Sequence, residues 1–293
     1  MFSDNPNNFV HSFRARGNGN LKKLPEKVIA MFQKTWYMLG RAVVSQYVRH
    51  VLRADIQHEH PLPDGPKIIA VNHPSTSDPA YVTALFKEQT SILILETLFK
   101  VPVFGRSLRA AGHIPVVPGS GRDALEEATR LLKAGRTVII FPEGVISPAA
   151  GMHKGHTGVA RLALNTGAPV IPVGISLDSS QIRMVNTKVE GKMEPGAWYL
   201  HGPYAMTVGE PVTYQGDCAD HEQVRIVTGQ IMQCIGALKQ RGDARLDQSQ
   251  RQAEIRAARR GMVARAAHWA AYSVAFRAVR SMLMFLIAGR ASY

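Results

Sequence analysis

Five short runs of apolar residues, most of them Ile, Val or Leu, constrain this chain more than any other feature. They fall at 67–72 (KIIAVN), 92–95, 113–117, 137–141 and 170–175, and stretches with helical spacing at 79–86, 123–134 and 158–165 lie between them. Runs of this length with apolar residues at successive positions predict strands buried on both faces. Such strands separated by short helices predict an α/β sandwich with a largely buried sheet. Residues 181–214 are punctuated by Gly and Pro and predict further strands and loops. A last helix is predicted over 220–239, followed by a polar linker at 240–250. There is no internal repeat.

Charge divides the chain into three parts. The formal net charge is +13, and all of the excess lies at the ends. Residues 1–60 hold 9 Lys/Arg against 4 Asp/Glu, residues 239–293 hold 11 against 3, and the middle is neutral. A basic arm at 1–60, a domain at 61–240 and a basic segment at 241–293 follow from this. Cys218 and Cys234 lie far apart without a CxxC pair, so neither a disulfide framework nor a zinc site is expected, which suits a reducing cytosol. The first 25 residues carry Arg14, Arg16, Lys22 and Lys23 with no apolar core, and no secretory signal is expected.

The apolar residues beside those charges decide what the arms bind. A helix predicted over 25–53 puts Lys27, Lys34, Arg41 and Arg49 in one stripe and centres Phe32, Trp36, Leu39, Val43 and Tyr47 on the opposite face. That is the pattern of an interfacial membrane helix; packing of the apolar face on the domain core is the competing reading. A basic stretch at 251–265 precedes Trp269, Tyr272, Phe276 and the run 282–287, which Arg277 and Arg280 keep too short to span a bilayer. A helix lying in the interface fits it, with a coiled-coil or dimer helix as the plainer reading. Nucleic acid is not expected, because a soluble nucleic-acid arm has no need of these apolar stretches. An anionic membrane surface is the expected partner.

The sharpest local signal follows the first apolar run: Asn72-His73-Pro74-Ser75-Thr76-Ser77-Asp78. A strand ending in His places that side chain at the sheet edge, where ligands of α/β proteins bind. Asp78 falls at the start of the next helix and can reach back to one imidazole nitrogen. This fixes the tautomer and raises the basicity of the other nitrogen, which can then take a proton from a hydroxyl. An alcohol needs that help at neutral pH, whereas a thioester expels its thiolate unaided. A lone His before Pro is more often structural; the strand, Asn-His and the spaced Asp together reverse that. Phe141-Pro142-Glu143-Gly144 places a carboxylate and a Gly-permissive turn at the same edge. That carboxylate can hold a polyol hydroxyl or merely cap a turn. No G-x-S-x-G elbow is present, so a hydrolase would have to use Ser75 or Ser77. His58-Glu59-His60 has the wrong spacing for one helical face, and no metal is expected.

Taken in order, NHPSTSD, GHIPV (112–116), FPEG and VIPV (170–173) resemble the four blocks of the glycerolipid acyltransferase family, which includes lysophosphatidate acyltransferase. The likeness covers about residues 67–176, with LFKVPVFG (98–105) and ARLALNTGAPVIPVGI (160–175) adding to it. It implies a glycerolipid-acyltransferase-like αβ sandwich at 61–240; the amphipathic membrane-associating helices expected at both ends are read from the arms themselves and are not needed for the match. The implied activity moves a fatty acyl group from acyl-CoA or acyl carrier protein to a lysolipid hydroxyl, with 1-acylglycerol-3-phosphate or a related lysophospholipid as acceptor. His73 would be the base, Asp78 its partner, and Glu143 and Gly144 part of the acceptor site. No cofactor beyond the acyl co-substrate is implied, and the implied place is the cytoplasmic face of a membrane, peripheral or monotopic.

Three positions depart from the family pattern. Where members that take lysophosphatidate carry cations, this chain has Leu95, Pro118 and Ile146. A phosphate monoester needs fixed positive charge. Substitutes can come from Gly119-Ser120-Gly121-Arg122 at the start of a helix, or from Arg106, Arg109, His113, His153, Lys154 and His156. Arg122 and Lys154 are the acceptor-binding candidates among them. Otherwise the acceptor is a glycolipid or an amino-acid-containing lysolipid, or the chain is a non-catalytic lipid-binding relative.

Overall fold

The computed structural model describes residues 26–101, 104–189 and 192–288. It forms two units, residues 1–243 and 244–293. The basic residues of 1–25, the side chains of Lys27 and Phe32, and those of residues 264–288, including Trp269, Arg277 and Arg280, lie outside the described residues.

The first unit opens with helix α1, Glu26–His50, and strand β1, Asp55–His58. Strand β2, Lys67–Val71, leads to the short helix α2, Asp78–Val82, and a 3-10 turn, Thr83–Leu85. Then come β3 (Thr90–Leu95), α3 (Glu96–Phe99), α4 (Phe104–Ala111), β4 (Ile114–Val116), α5 (Arg122–Lys133), β5 (Thr137–Ile140) and α6 (Gly158–Thr166). Strand β6 (Val170–Leu177), the hairpin β7–β8 (Arg183–Val189, Lys192–Trp198), β9 (Tyr204–Val208) and helix α7 (His221–Ala288) complete the chain.

Seven strands form one sheet in the order β1-β9-β6-β2-β5-β3-β4. All its pairs are parallel except β6 with β9. Every side chain of β2 is buried, and alternate residues enter opposite cores. Ile69 and Val71 face a core shared with Val48 and Leu52 at the α1 end, Tyr81 and Val82 of α2, and Phe86. Ile68 and Ala70 face a core shared with α5, α6 and the first turns of α7, where Val224, Val227, Ile231 and Ile235 make the stripe. This double burial is why the strand reads as an unbroken apolar run. The β7–β8 hairpin is a separate antiparallel pair.

Three expectations are corrected. The helix predicted over 79–86 is a short α-helix that tightens into a 3-10 turn. Residues 240–250, expected as a polar linker, are helical within α7. Polarity marked that segment as a linker, but Gln, Arg, Ala and Leu are sound helix formers, and Gly242 is the weakest position among them. In α1, Arg41 leaves the cationic stripe: its Nη1 donates to the Phe86 carbonyl at 2.7 Å. The same helix buries Tyr37 and Val48 in the domain and leaves Leu39 at 60% and Val43 at 65% exposed. It therefore has both a core face and an exposed apolar face.

Helix α7 approaches β6 at backbone range. A Cβ added to Gly174 would stand 2.2 Å from the Lys239 backbone nitrogen, and one on Gly242 would stand 2.5 Å from Ser176 Oγ. Gly174→Ala is expected to push α7 off the sheet and destabilise the unit by about 1–3 kcal/mol, read as a lower urea midpoint.

Candidate active site

Parallel neighbours β2 and β5 both end at the same edge of the sheet, and each carries one functional block just past that end. Asn72 extends β2 by side chain: its Nδ2 donates to the Ile175 carbonyl at 2.9 Å and its Oδ1 accepts from the Ile175 N–H at 2.6 Å. The amide thus takes the place of a ladder pair against β6. It fixes the point at which the chain turns away with His73.

The His73 backbone is clamped by the block after β5. Its N–H meets Glu143 Oε1 at 3.1 Å and Ser147 Oγ at 3.0 Å, and its carbonyl accepts from the Ser147 N–H at 2.7 Å. Ser147 Oγ donates to Glu143 Oε1 at 2.5 Å, and the His153 N–H donates to Oε2 at 2.6 Å. Glu143 is buried, and three donors from the protein occupy its two oxygens. Its role here is to hold the loops that carry His73 and His153. The Phe141 ring lies 4.4 Å from the His73 ring and limits its tilt.

His73 Nδ1 stands 3.3 Å from Asp78 Oδ2; the imidazole is 17% exposed and the carboxylate fully buried. Asp78 also accepts from the Ser75 N–H and Ser75 Oγ, each at 2.6 Å, and from Tyr204 Oη at 3.0 Å. With Nδ1 donating to a carboxylate, the basic lone pair of the neutral ring is on Nε2. The turn between the pair is pinned from outside. The Thr76 N–H donates to the Ala197 carbonyl, the Ala197 N–H donates to Thr76 Oγ1, and the Tyr199 N–H donates to Ser77 Oγ. Neither serine hydroxyl is bonded to His73, as a serine nucleophile would require.

Burial and then the charge of Asp78 push the Tyr204 phenol well above its ordinary 10. Burial raises Tyr199 to about 12, and Tyr81 is raised mainly by burial as well. All three remain protonated donors at any working pH.

The sequence candidates separate. His73, Asp78, Glu143 and Gly144 come together. Gly144 has φ +69°, and a Cβ there would meet the His156 ring at 3.0 Å, so both backbone and space call for glycine. The His156 N–H bonds the Pro142 carbonyl, which lays the segment 153–156, with exposed Lys154, against the FPEG turn. Arg122 points elsewhere: it is 87% exposed and its Nε donates to Glu126 Oε1 at 2.9 Å. Arg109 donates to the Phe99 carbonyl and lies over that ring, and Arg106 is exposed on α4. His113 is buried and accepts the Ile92 N–H on Nδ1. Ser147 and Tyr204 are the site residues that sequence reasoning missed, and Ser75, weighed there only as a hydrolase nucleophile, serves as a donor to Asp78. Tyr204 carries no local signal, since it comes from a strand 126 residues beyond Asp78. Among the described residues no group of three His, Cys, Asp or Glu could hold a metal ion.

The comparisons agree with the blocks. Residues 53–176 match the family model described as Acyltransferase. A 1-acyl-sn-glycerol-3-phosphate acyltransferase of Pseudomonas aeruginosa is 31% identical over 126 residues, 42% of this chain and 49% of that one. The chloroplastic BAT2 enzyme of Brassica napus, with the same name, is 33% identical over 147 residues, 48% of this chain and 42% of its own. The chain thus spans about half the length of the curated relatives it matches. The crystal structure of the 1-acyl-sn-glycerophosphate (LPA) acyltransferase PlsC from Thermotoga maritima aligns with TM-score 0.49 at 22% identity, covering 79% of this chain and 88% of that one. The resemblance to glycerolipid acyltransferases, and to those acting on 1-acylglycerol-3-phosphate in particular, is borne out.

His113 gives a test of stability. Burial, with the Arg136 charge nearby, lowers it from 6.5 to about 4. Between those values the unfolded chain takes a proton that the folded chain refuses, so stability falls as pH falls through the window and is unaffected above it. The loss is on the order of 3 kcal/mol when complete. His113→Gln is expected to flatten that slope in urea titrations spanning the window.

Proposed function

We propose that this chain is an O-acyltransferase of lipid synthesis. It moves a fatty acyl group from acyl-CoA or acyl carrier protein to a lysolipid hydroxyl, most closely 1-acylglycerol-3-phosphate. The observation that carries the reading is the His73–Asp78 pair, held at the sheet edge on both sides of His73, in a domain whose relatives bear that name.

The chemistry follows from the tautomer. Nε2 of His73 takes the proton of the acceptor hydroxyl as its oxygen attacks the thioester carbonyl. The C–O bond forms, the tetrahedral oxyanion collapses, the C–S bond breaks and the thiolate leaves, and the proton on Nε2 passes to the thiolate or to solvent, which returns His73 to its neutral form. Asp78 stabilises the imidazolium meanwhile. No acyl-enzyme is required. For a phosphate-bearing acceptor, exposed Lys154 supplies positive charge beside the Glu143–Gly144 turn, and His153 and His156 add ring nitrogens that can hydrogen-bond the phosphate. Arg122 can join them only by exchanging Glu126 for the phosphate. The absence of cations at Leu95, Pro118 and Ile146 favours a second reading, a glycolipid or amino-acid-containing lysolipid as acceptor, or lipid binding without turnover.

The proposed workplace is the cytoplasmic face of an anionic membrane, bound peripherally or monotopically. Leu39 and Val43, exposed on the outer face of α1, support this, as does the excess of basic residues at both ends. Among the described residues no helix is long and apolar enough to cross a membrane.

His73→Ala and Asp78→Ala are each expected to lower turnover by about 10²–10⁴-fold. The assay is labelled acyl-CoA offered to a panel of lysolipids, and wild-type turnover in folded His73→Ala removes the mechanism. Activity on glycolipid acceptors alone would select the second reading. In vesicle flotation, Leu39→Ser with Val43→Ser is expected to weaken binding to all vesicles, and removal of 251–293 to weaken binding to anionic ones more than neutral ones. Equal binding by all forms would contradict the membrane assignment.

A further inference from the structure

Asp78 shares its negative charge among four donors, and His73 is the most distant of them. Ser75 reaches both oxygens at 2.6 Å and Tyr204 reaches Oδ1 at 3.0 Å, against 3.3 Å for His73 Nδ1. Three of the four donors come from the turn that carries the pair. The fourth comes from β9, on the far side of β6.

We propose that Tyr204 is a positioning residue of this site: its hydroxyl draws part of the Asp78 charge away from His73 and thereby sets the pH range over which His73 acts as a base. The proposal rests on the general-base reading of His73 given above.

The geometry leaves Tyr204 no other evident task for its hydroxyl. The ring is 1% exposed and packs among Tyr81, at 5.6 Å and 90°, and Tyr199, at 5.7 Å. Those neighbours commit their own hydroxyls to carbonyls: Tyr81 to Tyr199 and Tyr199 to Pro203. Tyr47 of α1 stacks on Tyr81, and Glu143 meets His73 at its backbone N–H, with its other bonds to Ser147 and His153. Among the described residues the salt bridge to Asp78 is from His73 alone. The buried carboxylate is therefore stabilised by hydrogen bonds, and each donor removed shifts charge onto those that remain. Tyr204 stays a donor throughout, because burial keeps its proton in place.

Tyr204→Phe removes the hydroxyl and keeps the ring. The acid limb of the kcat/KM profile is expected to move to higher pH by about half a unit to one unit, with the alkaline plateau within about threefold of wild type. The His73 Nδ1–H proton resonance should move downfield as its bond to Asp78 tightens. Ser75→Ala removes a second donor from the same Oδ1 and should move both readouts the same way, which covers the case in which Tyr204→Phe does not fold. A folded variant with a lower plateau, an unmoved limb and an unmoved resonance would mean that Tyr204 only packs, and overturns the proposal. Unfolding of both variants would assign the hydroxyls to stability and overturn it as well. The resonance needs no turnover, so failure of the His73 mechanism itself, seen in His73→Ala, is told apart from failure of this inference.

Discussion

A carboxylate with no exposed surface is the most demanding group in this domain, and the arrangement around Asp78 follows from that demand. Removing an ionised carboxylate from water is costly unless its lone pairs are matched by donors. Four donors meet the two oxygens here, from Ser75, His73 and Tyr204. To deliver them, the turn after β2 must close tightly and β9 must come to the same end of the sheet as β2. A loose turn or a shifted β9 would leave the charge unpaired, so the site is held by the same bonds that hold the fold.

The second constraint acts on the backbone of His73. Its N–H and carbonyl are taken by Glu143 and Ser147 from beyond the neighbouring strand, while the residue before it is locked to β6 through Asn72. Three adjacent strands, β6, β2 and β5, therefore determine where one imidazole sits. With Phe141 against one side of the ring and Asp78 on Nδ1, little rotational freedom is left to the side chain. A side chain held this way has little rotamer entropy left to lose.

Helix α1 performs two tasks with two faces. Tyr37 and Val48 close the core over the sheet, and Tyr37 Oη bonds Thr90 Oγ1 at 2.8 Å within it. Nearly half a turn away, Leu39 and Val43 remain in solvent. Tyr47, between those faces, stacks on Tyr81 and donates to the Leu200 carbonyl. The helix is thus continuous in contact with the tyrosines around Asp78.

The sequence by itself determined the class of fold, because β2, β5 and β6 are buried on both faces and such strands need unbroken apolar runs that no other element of this length shares. It also determined the dyad, since His73 and Asp78 are close in sequence and belong to one turn. Two of the three corrected readings show where local signals mislead. The polar 240–250 segment is helical, as its residues' intrinsic propensities allow, and Arg41 turns inward because the Phe86 carbonyl lies within its reach. Only the tertiary structure could decide that Glu143 faces the His73 backbone. The same is true of Tyr204. A hydrogen bond between residues 126 positions apart depends on how strands are ordered in the sheet, and strand order is a property of global packing that no short stretch of sequence encodes.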